Sequence, residues 1–153
     1  MGGSMKKFKF QLETLLKVTT MERDKKQVEL AEAAHKVEEE REKLAQYLAE
    51  MQKGQQDFDE LTQKGKIKVN TVIMYTNFFN YKRLQIEQQQ KAILQAENER
   101  KQKLKELVDV TNKLKSIEQL KEKRRQEYFQ EMMAEEQKIL DELGGQLYFR
   151  KAK

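Results

Sequence analysis

Few side chains in this chain could carry a reaction. Among its 153 residues there are one histidine and no cysteine, and His35 lies near alanines beside a predicted helix seam, where we interpret it as a spacer. No glycine-rich phosphate loop and no paired histidine or cysteine spacing typical of a metal site is present. We therefore predict that the protein is not an enzyme, and that it has no catalytic residues, no metal site and no cofactor.

A short apolar and aromatic group offers recognition chemistry instead. Met74, Phe78 and Tyr81 follow one another at i, i+4 and i+7, which places them on one face of a helix. Val72 and Phe79 belong to the seam described below, so the other three side chains are expected to point outward. Large exposed side chains with this spacing often anchor a partner protein. The alternative is that Phe78 only flanks the seam and is half covered.

If the chain folds as the hairpin described below, basic residues near the N-terminus are expected to lie beside a second basic group in helix 2, and the basic residues at the C-terminus to join them. The formal net charge is +5, but acids are interspersed along most of the length, and few aromatics interleave with the bases as they do in single-strand binders. We predict no nucleic-acid partner and favour an acidic protein surface, with an anionic membrane or an ordinary solvated face as alternatives. The bases concerned are Lys6, Lys7, Lys9, Lys121, Lys123, Arg124, Arg125, Arg150, Lys151 and Lys153.

The composition is that of long helices. Charged and hydrophobic residues each make up 37%, and proline, cysteine and tryptophan are absent, so no proline interrupts a helix. The lack of cysteine fits a cytoplasmic protein. No apolar run is long enough to predict a membrane span, and the start lacks a signal-peptide core. We interpret residues 1–4 as a cloning scar before a native start at Met5.

A long heptad pattern predicts helix 1 over residues 5–64. One apolar residue in every seven forms half of a coiled-coil seam, and a second set forms the other half. The seam is broken at Thr19, Arg23, Lys26, Glu40 and Gly54. Its apolar members are Leu16, Leu30, Val37, Leu44, Met51 and Phe58 in the first set, and Leu12, Ala33, Tyr47 and Leu61 in the second.

Residues 65–70 are predicted to form a turn. Gly65 can adopt a positive φ without steric cost and so end helix 1, and the side chain of Asn70 or Thr71 can cap the next helix. Helix 2 is predicted over residues 71–143. Because the link is short, we predict an all-α fold, a long antiparallel two-helix coiled-coil hairpin in a single domain; one continuous helix is the alternative. The helix 2 seam contains Val72, Tyr75, Phe79, Ile86, Ile93, Ala96, Leu107, Val110, Leu114, Ile117 and Tyr128.

Both ends carry more apolar residues than a seam needs. With the turn centred near residue 67, helix 1 reaches the level of residue 128, and residues 129–143 form an overhang of helix 2. A basic tail, 144–153, is expected to follow a helix end at Gly144-Gly145. The extra apolar surface at the N-terminus is either a partner site or a fraying helix end. The stripe on the overhang is either a partner site or disordered until bound, or it folds back on the N-terminal apolar face. The extra apolar surface consists of Phe8, Phe10, Leu12, Leu15, Leu16, Val18 and Met21 at the N-terminus, and of an overhang stripe, Phe129, Met132, Met133, Ile139, Leu140, Leu143 and Leu147.

Three motifs in this chain resemble the FliJ family, small coiled-coil components of flagellar type III protein export. The opening Phe8-x-Phe10-x-Leu12-Glu13-x-Leu15-Leu16 is similar to the start of the family's chains. After the turn, Tyr75-x-x-Phe78 resembles an aromatic pair on the family's second helix. The stretch Glu136-x-Lys138-x-Leu140-Asp141-Glu142-Leu143, with Arg150 beyond it, is similar to the family's end. The resemblance therefore extends over nearly the whole chain.

The resemblance implies partners and a location. FliJ proteins are antiparallel coiled coils similar to the stalk of the rotary ATPase gamma subunit. They bind the hexameric export ATPase as a central stalk, promote its ring assembly, contact the cytoplasmic domain of the membrane export gate and recycle export chaperones. We therefore expect a non-enzymatic protein of flagellum biogenesis and motility, monomeric alone, cytoplasmic and peripheral at the inner face of the bacterial cytoplasmic membrane.

The resemblance also assigns binding residues. Family positions on the gate-contacting surface align with Lys43, Tyr47, Glu50, Lys82, Gln85 and Gln89. Contacts to the export gate are expected from Met74, Phe78, Tyr81 and Tyr47. Contacts to the export ATPase are expected from Phe8, Phe10, Leu12, Leu15, Met132, Leu140 and Leu143.

Other interpretations of the same pattern remain at this point. The equivalent stalk of a virulence injectisome would have the same periodicity. A structural coiled-coil fragment would form a dimer, and a hairpin opened at Gly65 could exchange helices with a neighbour. A nucleic-acid-binding coiled coil would bind with a steep dependence on salt.

Overall fold

Two long helices make up the fold. The computed structural model describes residues 7–152, in which α1 spans Glu13–Gln63 and α2 spans Val69–Ala152. No strand occurs in that range. The many Ala, Leu, Glu, Lys and Gln residues have high helix propensity, and no proline opposes them. The predicted fold class, an all-α hairpin of two antiparallel helices, is confirmed.

The chain divides into two compact units, each built from one part of α1 and one part of α2. The turn unit is Lys25–Val108, and the terminal unit contains residues 7–24 and 109–152. Within the turn unit, Lys26 forms an ion pair with Glu106, and Phe58 stacks near Tyr75. Because a later residue of α1 meets an earlier residue of α2, the two parts are antiparallel.

The same direction holds inside the terminal unit. The rings of Phe8 and Tyr128 lie 5.7 Å apart, and Glu13 forms an ion pair of 2.9 Å with Lys121. Thr19, predicted as a break in the seam, is only 1% exposed. A small side chain at this position therefore belongs to the seam. The other buried residues of this unit are Phe10, Val110, Leu114 and Ile117.

Polar side chains occupy the seam of the turn unit where breaks were predicted. Glu40 and Gln89 are both buried. The Gln89 amide donates hydrogen bonds to the Glu40 carboxylate (2.6 Å) and to its backbone carbonyl (2.8 Å). Lys36 and Lys43 reach the other carboxylate oxygen at 3.1 and 3.4 Å. These paired groups form a polar layer across the seam. Glu40 and Gln89 can be buried there because each of them has hydrogen-bond or ion-pair partners.

The link between the helices is only partly as predicted. Gly65 has a φ of 79°, which confirms the left-handed residue at the end of α1. The predicted cap at Asn70 or Thr71 is wrong. The backbone N–H of Val72 donates to the carbonyl of Lys68 (3.2 Å), so Lys68 is the N-cap and α2 begins two residues earlier than predicted.

The predicted start of helix 1 at residue 5 is also wrong. Residue 5 lies outside the described residues, and residues 7–10 are not helical. The backbone N–H of Leu16 donates to the carbonyl of Leu12 (2.9 Å), which makes Leu12 the N-cap of α1. Phe10 is buried just before this point, so packing of its ring holds the preceding segment in a non-helical path.

The C-terminal end of α2 lies beyond the predicted position. Instead of ending at residue 143 before a tail, the helix continues through Gly144 and Gly145 to Ala152. A cost of about 1 kcal/mol for each glycine relative to alanine is too small to stop a helix whose other residues favour it. Arg150 and Lys151 lie in the last turn, where positive charge interacts favourably with the helix dipole.

Replacing Gly65 by alanine is expected to lower the free energy of unfolding by about 1–2 kcal/mol, because a Cβ is unfavourable in the left-handed region. An added Cβ would meet no atom within 4 Å, so the cost comes from the backbone alone. Urea unfolding followed by circular dichroism measures it. The matched control is Gly144→Ala, also in open space but in a helix, where a gain of up to about 1 kcal/mol is expected. Equal effects of the two substitutions would contradict this account of the turn.

Candidate functional site

Lys82 organises the side chains on one face of the turn unit. It is only 7% exposed, and its Nζ lies 5.4 Å from the ring centroid of Tyr47 and 5.7 Å from that of Phe78. The same ammonium group forms an ion pair with Glu50 and donates to Gln85 Oε1 (3.0 Å). A cation held between two rings and a carboxylate restrains all of these partners.

The ion pair also keeps Glu50 charged. The hydrogen bond from Lys82 holds the pKa of the Glu50 carboxyl below its ordinary value, with the positive charge of Lys82 acting in the same direction. A carboxyl with a lowered pKa is ionised at neutral pH. The contact that restrains Lys82 is therefore present under physiological conditions.

Gly54 provides the space in which Phe78 packs. Gly54 is buried in α1, and a Cβ built on it would lie 2.4 Å from Cε1 of Phe78. Two non-bonded carbon atoms cannot lie that close together, so a side chain larger than glycine would force the Phe78 ring or the helix to shift. The Phe78 ring therefore covers the glycine backbone and is half-buried. This is the half-covered alternative for Phe78 rather than a fully outward side chain.

Met74 and Tyr81 are the exposed members of the predicted stripe. Each is 61% exposed, in contrast to the half-buried Phe78 and Tyr47. The four predicted gate residues line two open grooves on the turn unit, and Lys82 contacts a ring from each groove. Met74 and Phe78 line the first groove with Glu50, Lys53, Gly54, Asp57, Tyr75 and Lys82; Tyr47 and Tyr81 line the second with Leu84, Gln85, Gln88 and Gln89.

The structural roles of Gly54 and Lys82 were not predicted from the sequence. Lys82 was aligned with a surface position, and Gly54 was counted as a break in the seam. A signal for both was nevertheless present, because Lys82 follows Tyr75 by seven residues and Gly54 follows Tyr47 by seven. The heptad count therefore places both inside the seam, where a lysine needs a partner and a glycine leaves room.

The aromatic residues predicted to bind the ATPase at the N-terminal end are partly engaged in packing. Phe10 is buried, and the guanidinium carbon of Arg124 lies 5.8 Å from its ring centroid. Phe8 is half-buried and lies against Tyr128. Phe10 therefore stabilises the terminal unit and is not available as a free contact. Of the other predicted residues here, Leu12 is half-buried and Leu15 is exposed.

The predicted gathering of basic residues is found in part. Lys7, Lys9 and Arg124 line one groove of the terminal unit together with Phe8 and Tyr128. Lys6 and Lys153, which were predicted to join them, lie outside the described residues. The acidic residues Glu127 and Glu131 line the same groove, so its charge is mixed.

The predicted overhang is the most exposed part of the terminal unit. From residue 129 to residue 151 every side chain is exposed except that of Met132, which is half-buried. Leu140 is 61% exposed and Leu143 is 50% exposed. An apolar surface of this extent on a helix is suited to binding another protein.

The described residues provide neither a metal-binding cluster nor a membrane-spanning helix. Within residues 7–152, no three acidic, histidine or cysteine side chains come together in a way that could hold a metal ion. In that same range neither helix has a stretch apolar enough to cross a membrane. The turn unit offers a restrained cation beside aromatic rings, and the terminal unit offers an apolar stripe.

Comparison with known proteins identifies a family. The family model described as "Flagellar FliJ protein" matches residues 8–153, a range that includes both helices and all residues of the two surfaces. No curated protein and no solved structure matches the chain. Because the family model covers nearly the whole length, the protein belongs to the FliJ family of flagellar export components.

Proposed function

We propose that this protein is a non-enzymatic stalk of the flagellar export apparatus, and that its terminal unit binds the hexameric export ATPase and promotes assembly of the ring. The observation that carries the proposal is the overhang stripe, whose large apolar side chains are exposed along α2. An apolar stripe on a long helix is suited to the inside of a protein ring, where several subunits can cover it at once. The arrangement would be similar to the gamma-subunit stalk of rotary ATPases.

In this proposal the turn unit contacts the cytoplasmic domain of the export gate. Support comes from Phe78, which is seated against Gly54, and from Met74 and Tyr81, whose side chains are largely exposed beside it. Large apolar and aromatic side chains held in place beside a groove have the properties of binding hot spots. Export chaperones are the third class of partner, and the protein would work at the inner face of the bacterial cytoplasmic membrane.

Changing Leu140 and Leu143 together to aspartate is expected to abolish stimulation of the export ATPase, because charges would replace the centre of the overhang stripe. Both side chains are exposed, so the helices are expected to stay folded. The rate of ATP hydrolysis by the cognate ATPase, with and without the protein, measures the effect, and sedimentation reports ring assembly.

The matched control is Leu94→Asp with Leu104→Asp. These two leucines lie on the turn-unit part of α2 and are 59% and 50% exposed, so the number of charges and the exposure are alike. Stimulation is expected to survive in this variant. If wild-type protein failed to stimulate hydrolysis, or if both double variants behaved alike, the stalk proposal would be wrong.

A further inference from the structure

One acidic residue lies inside the overhang stripe rather than beside it. Residues three and four positions away on a helix are neighbours on its surface, and for Glu136 all four such neighbours are apolar. They are Met132, Met133, Ile139 and Leu140. Ile139 and Leu140 are 54% and 61% exposed, and Glu136 is exposed with them. The carboxylate is therefore surrounded by apolar surface that is open to solvent.

A partner that covered this stripe would also cover Glu136. Removing a carboxylate from water is strongly unfavourable unless an opposite charge and hydrogen bonds replace the solvent. An entirely apolar partner surface would therefore be rejected at this point. A basic side chain opposite Glu136 would compensate for the lost hydration, and arginine is best suited because its planar guanidinium binds both carboxylate oxygens.

A second copy of this chain, paired in register, does not meet that requirement. Pairing two stripes in register, parallel or centred on Glu136 in the antiparallel sense, would place one Glu136 against the other. The surrounding segment, residues 126–147, has six acidic residues and one basic residue, Lys138. Two such segments would repel each other, so charge complementarity favours a basic partner over self-association.

We propose that the overhang stripe binds an apolar protein surface that carries one arginine or lysine, and that this basic residue pairs with Glu136. The inference rests on the proposed function, since the surface in question would be the interior of the ATPase ring. The inference names the ion pair by which the ring would recognise this helix and fix the position of the helix along the ring axis. The apolar neighbours supply contact area, and Glu136 supplies selection against surfaces that lack the matching charge.

The test compares four full-length variants with wild type for binding to the purified cognate export ATPase by titration calorimetry. One of them is the Leu140→Asp, Leu143→Asp variant described above. Glu136→Lys is expected to weaken binding about 30-fold or more, because a buried pair becomes a repulsion. Glu136→Gln, which keeps the shape, is expected to weaken it less, by about 10-fold. The matched control Asp141→Lys makes the same change in charge on the same helix, but the residues three and four positions from it are Gln137, Lys138, Gly144 and Gly145. Its affinity is expected to stay within about threefold of wild type.

The outcomes separate this inference from the proposed function. If the Leu140→Asp, Leu143→Asp variant loses binding while Glu136→Lys binds like the Asp141→Lys control, the stripe binds the ATPase but the ion pair does not exist. If the leucine variant binds normally, the ATPase does not use the stripe, and both proposals fail. Loss of binding in Glu136→Lys but not in Asp141→Lys supports the ion pair. Dimerisation of the wild-type chain through the stripe in sedimentation would overturn it.

Discussion

Gly54→Ala is expected to weaken binding of the export-gate cytoplasmic domain about 10-fold or more, although the substitution is conservative and far from the exposed part of Phe78. A Cβ at this position would lie 2.4 Å from Cε1 of Phe78, so the ring must turn away from α1. A hot-spot side chain contributes through its fixed position as well as its area. Affinity of the isolated gate domain for the full chain, measured by calorimetry, gives the result.

The free energy of unfolding is expected to fall by no more than about 2 kcal/mol. Overpacking costs about 1–3 kcal/mol, whereas replacing a helical glycine by alanine returns about 1 kcal/mol. Gly144→Ala is the control, because its added Cβ meets nothing within 4 Å and gate binding is expected to stay unchanged. The double variant Gly54→Ala, Phe78→Ala should bind no worse than Phe78→Ala alone, because the clash is then gone.

Two outcomes would contradict this account. If Phe78→Ala lost binding while Gly54→Ala bound like wild type, Phe78 would contact the gate but would not need its place against Gly54. If neither substitution changed binding, the gate would contact another part of the chain. In the second case the proposed role of the turn unit in gate binding would be wrong, but the proposed role of the terminal unit in ATPase binding would still stand.

The helices and the turn could be predicted because the signals for them are local. Two heptad series separated by a short glycine-containing link favour an antiparallel hairpin, and Gly65 has the positive φ that its residue type allows. The ends of the helices could not be predicted as well. Burial of Phe10 stops α1 from extending toward the N-terminus, and two glycines do not outweigh the helix-forming residues around them near the C-terminus of α2.

The candidate gate surface could be predicted only in outline. Spacing along α2 places Met74, Phe78 and Tyr81 on one helical face, and two of these are largely exposed. The position of the Phe78 ring depends on Gly54 in the other helix, and the position of the Lys82 side chain depends on partners from both helices. These contacts join residues that are distant in the sequence. A count of apolar positions along one helix therefore treats Gly54 and Lys82 only as positions where the apolar seam is interrupted.

The second prediction concerns the polar layer formed by Glu40 and Gln89, whose contribution to the stability of the fold is expected to depend on pH. The hydrogen bond from Lys36, followed by that from Gln89, holds the pKa of the Glu40 carboxyl below its ordinary value. A carboxyl whose pKa is lowered in the folded state stabilises the fold above its unfolded pKa. That contribution is lost as the pH falls through the folded pKa. We therefore expect Glu40→Gln to be less stable than wild type at pH 7, and we expect the difference to shrink as the pH falls and to vanish once the folded-state carboxyl is protonated.

The expected difference at pH 7 is about 1–2 kcal/mol, because a charged acceptor is replaced by a neutral one while the shape is kept. Urea unfolding at pH 7 and pH 3 measures it. Glu29 and Glu50 also have lowered pKa values, but they titrate in both proteins and so cancel in the comparison. The control Glu42→Gln removes an exposed charge from the same helix and should change stability by less than about 0.5 kcal/mol at either pH.

We expect this layer to set the register of the two helices in the turn unit. Sliding one helix past the other by a heptad would keep apolar residues in contact, but it would separate Gln89 from Glu40 and leave the buried Gln89 amide without the acceptors it has now. The same slide would remove Phe78 from Gly54 and Lys82 from Glu50. Glu40→Gln at pH 7 is therefore expected to weaken gate binding only slightly, since its amide oxygen still accepts from Gln89. Glu40→Leu, which keeps the backbone carbonyl but has no acceptor in its side chain, should weaken it more. If Glu40→Leu bound the gate like wild type, the layer would contribute to stability without setting the register.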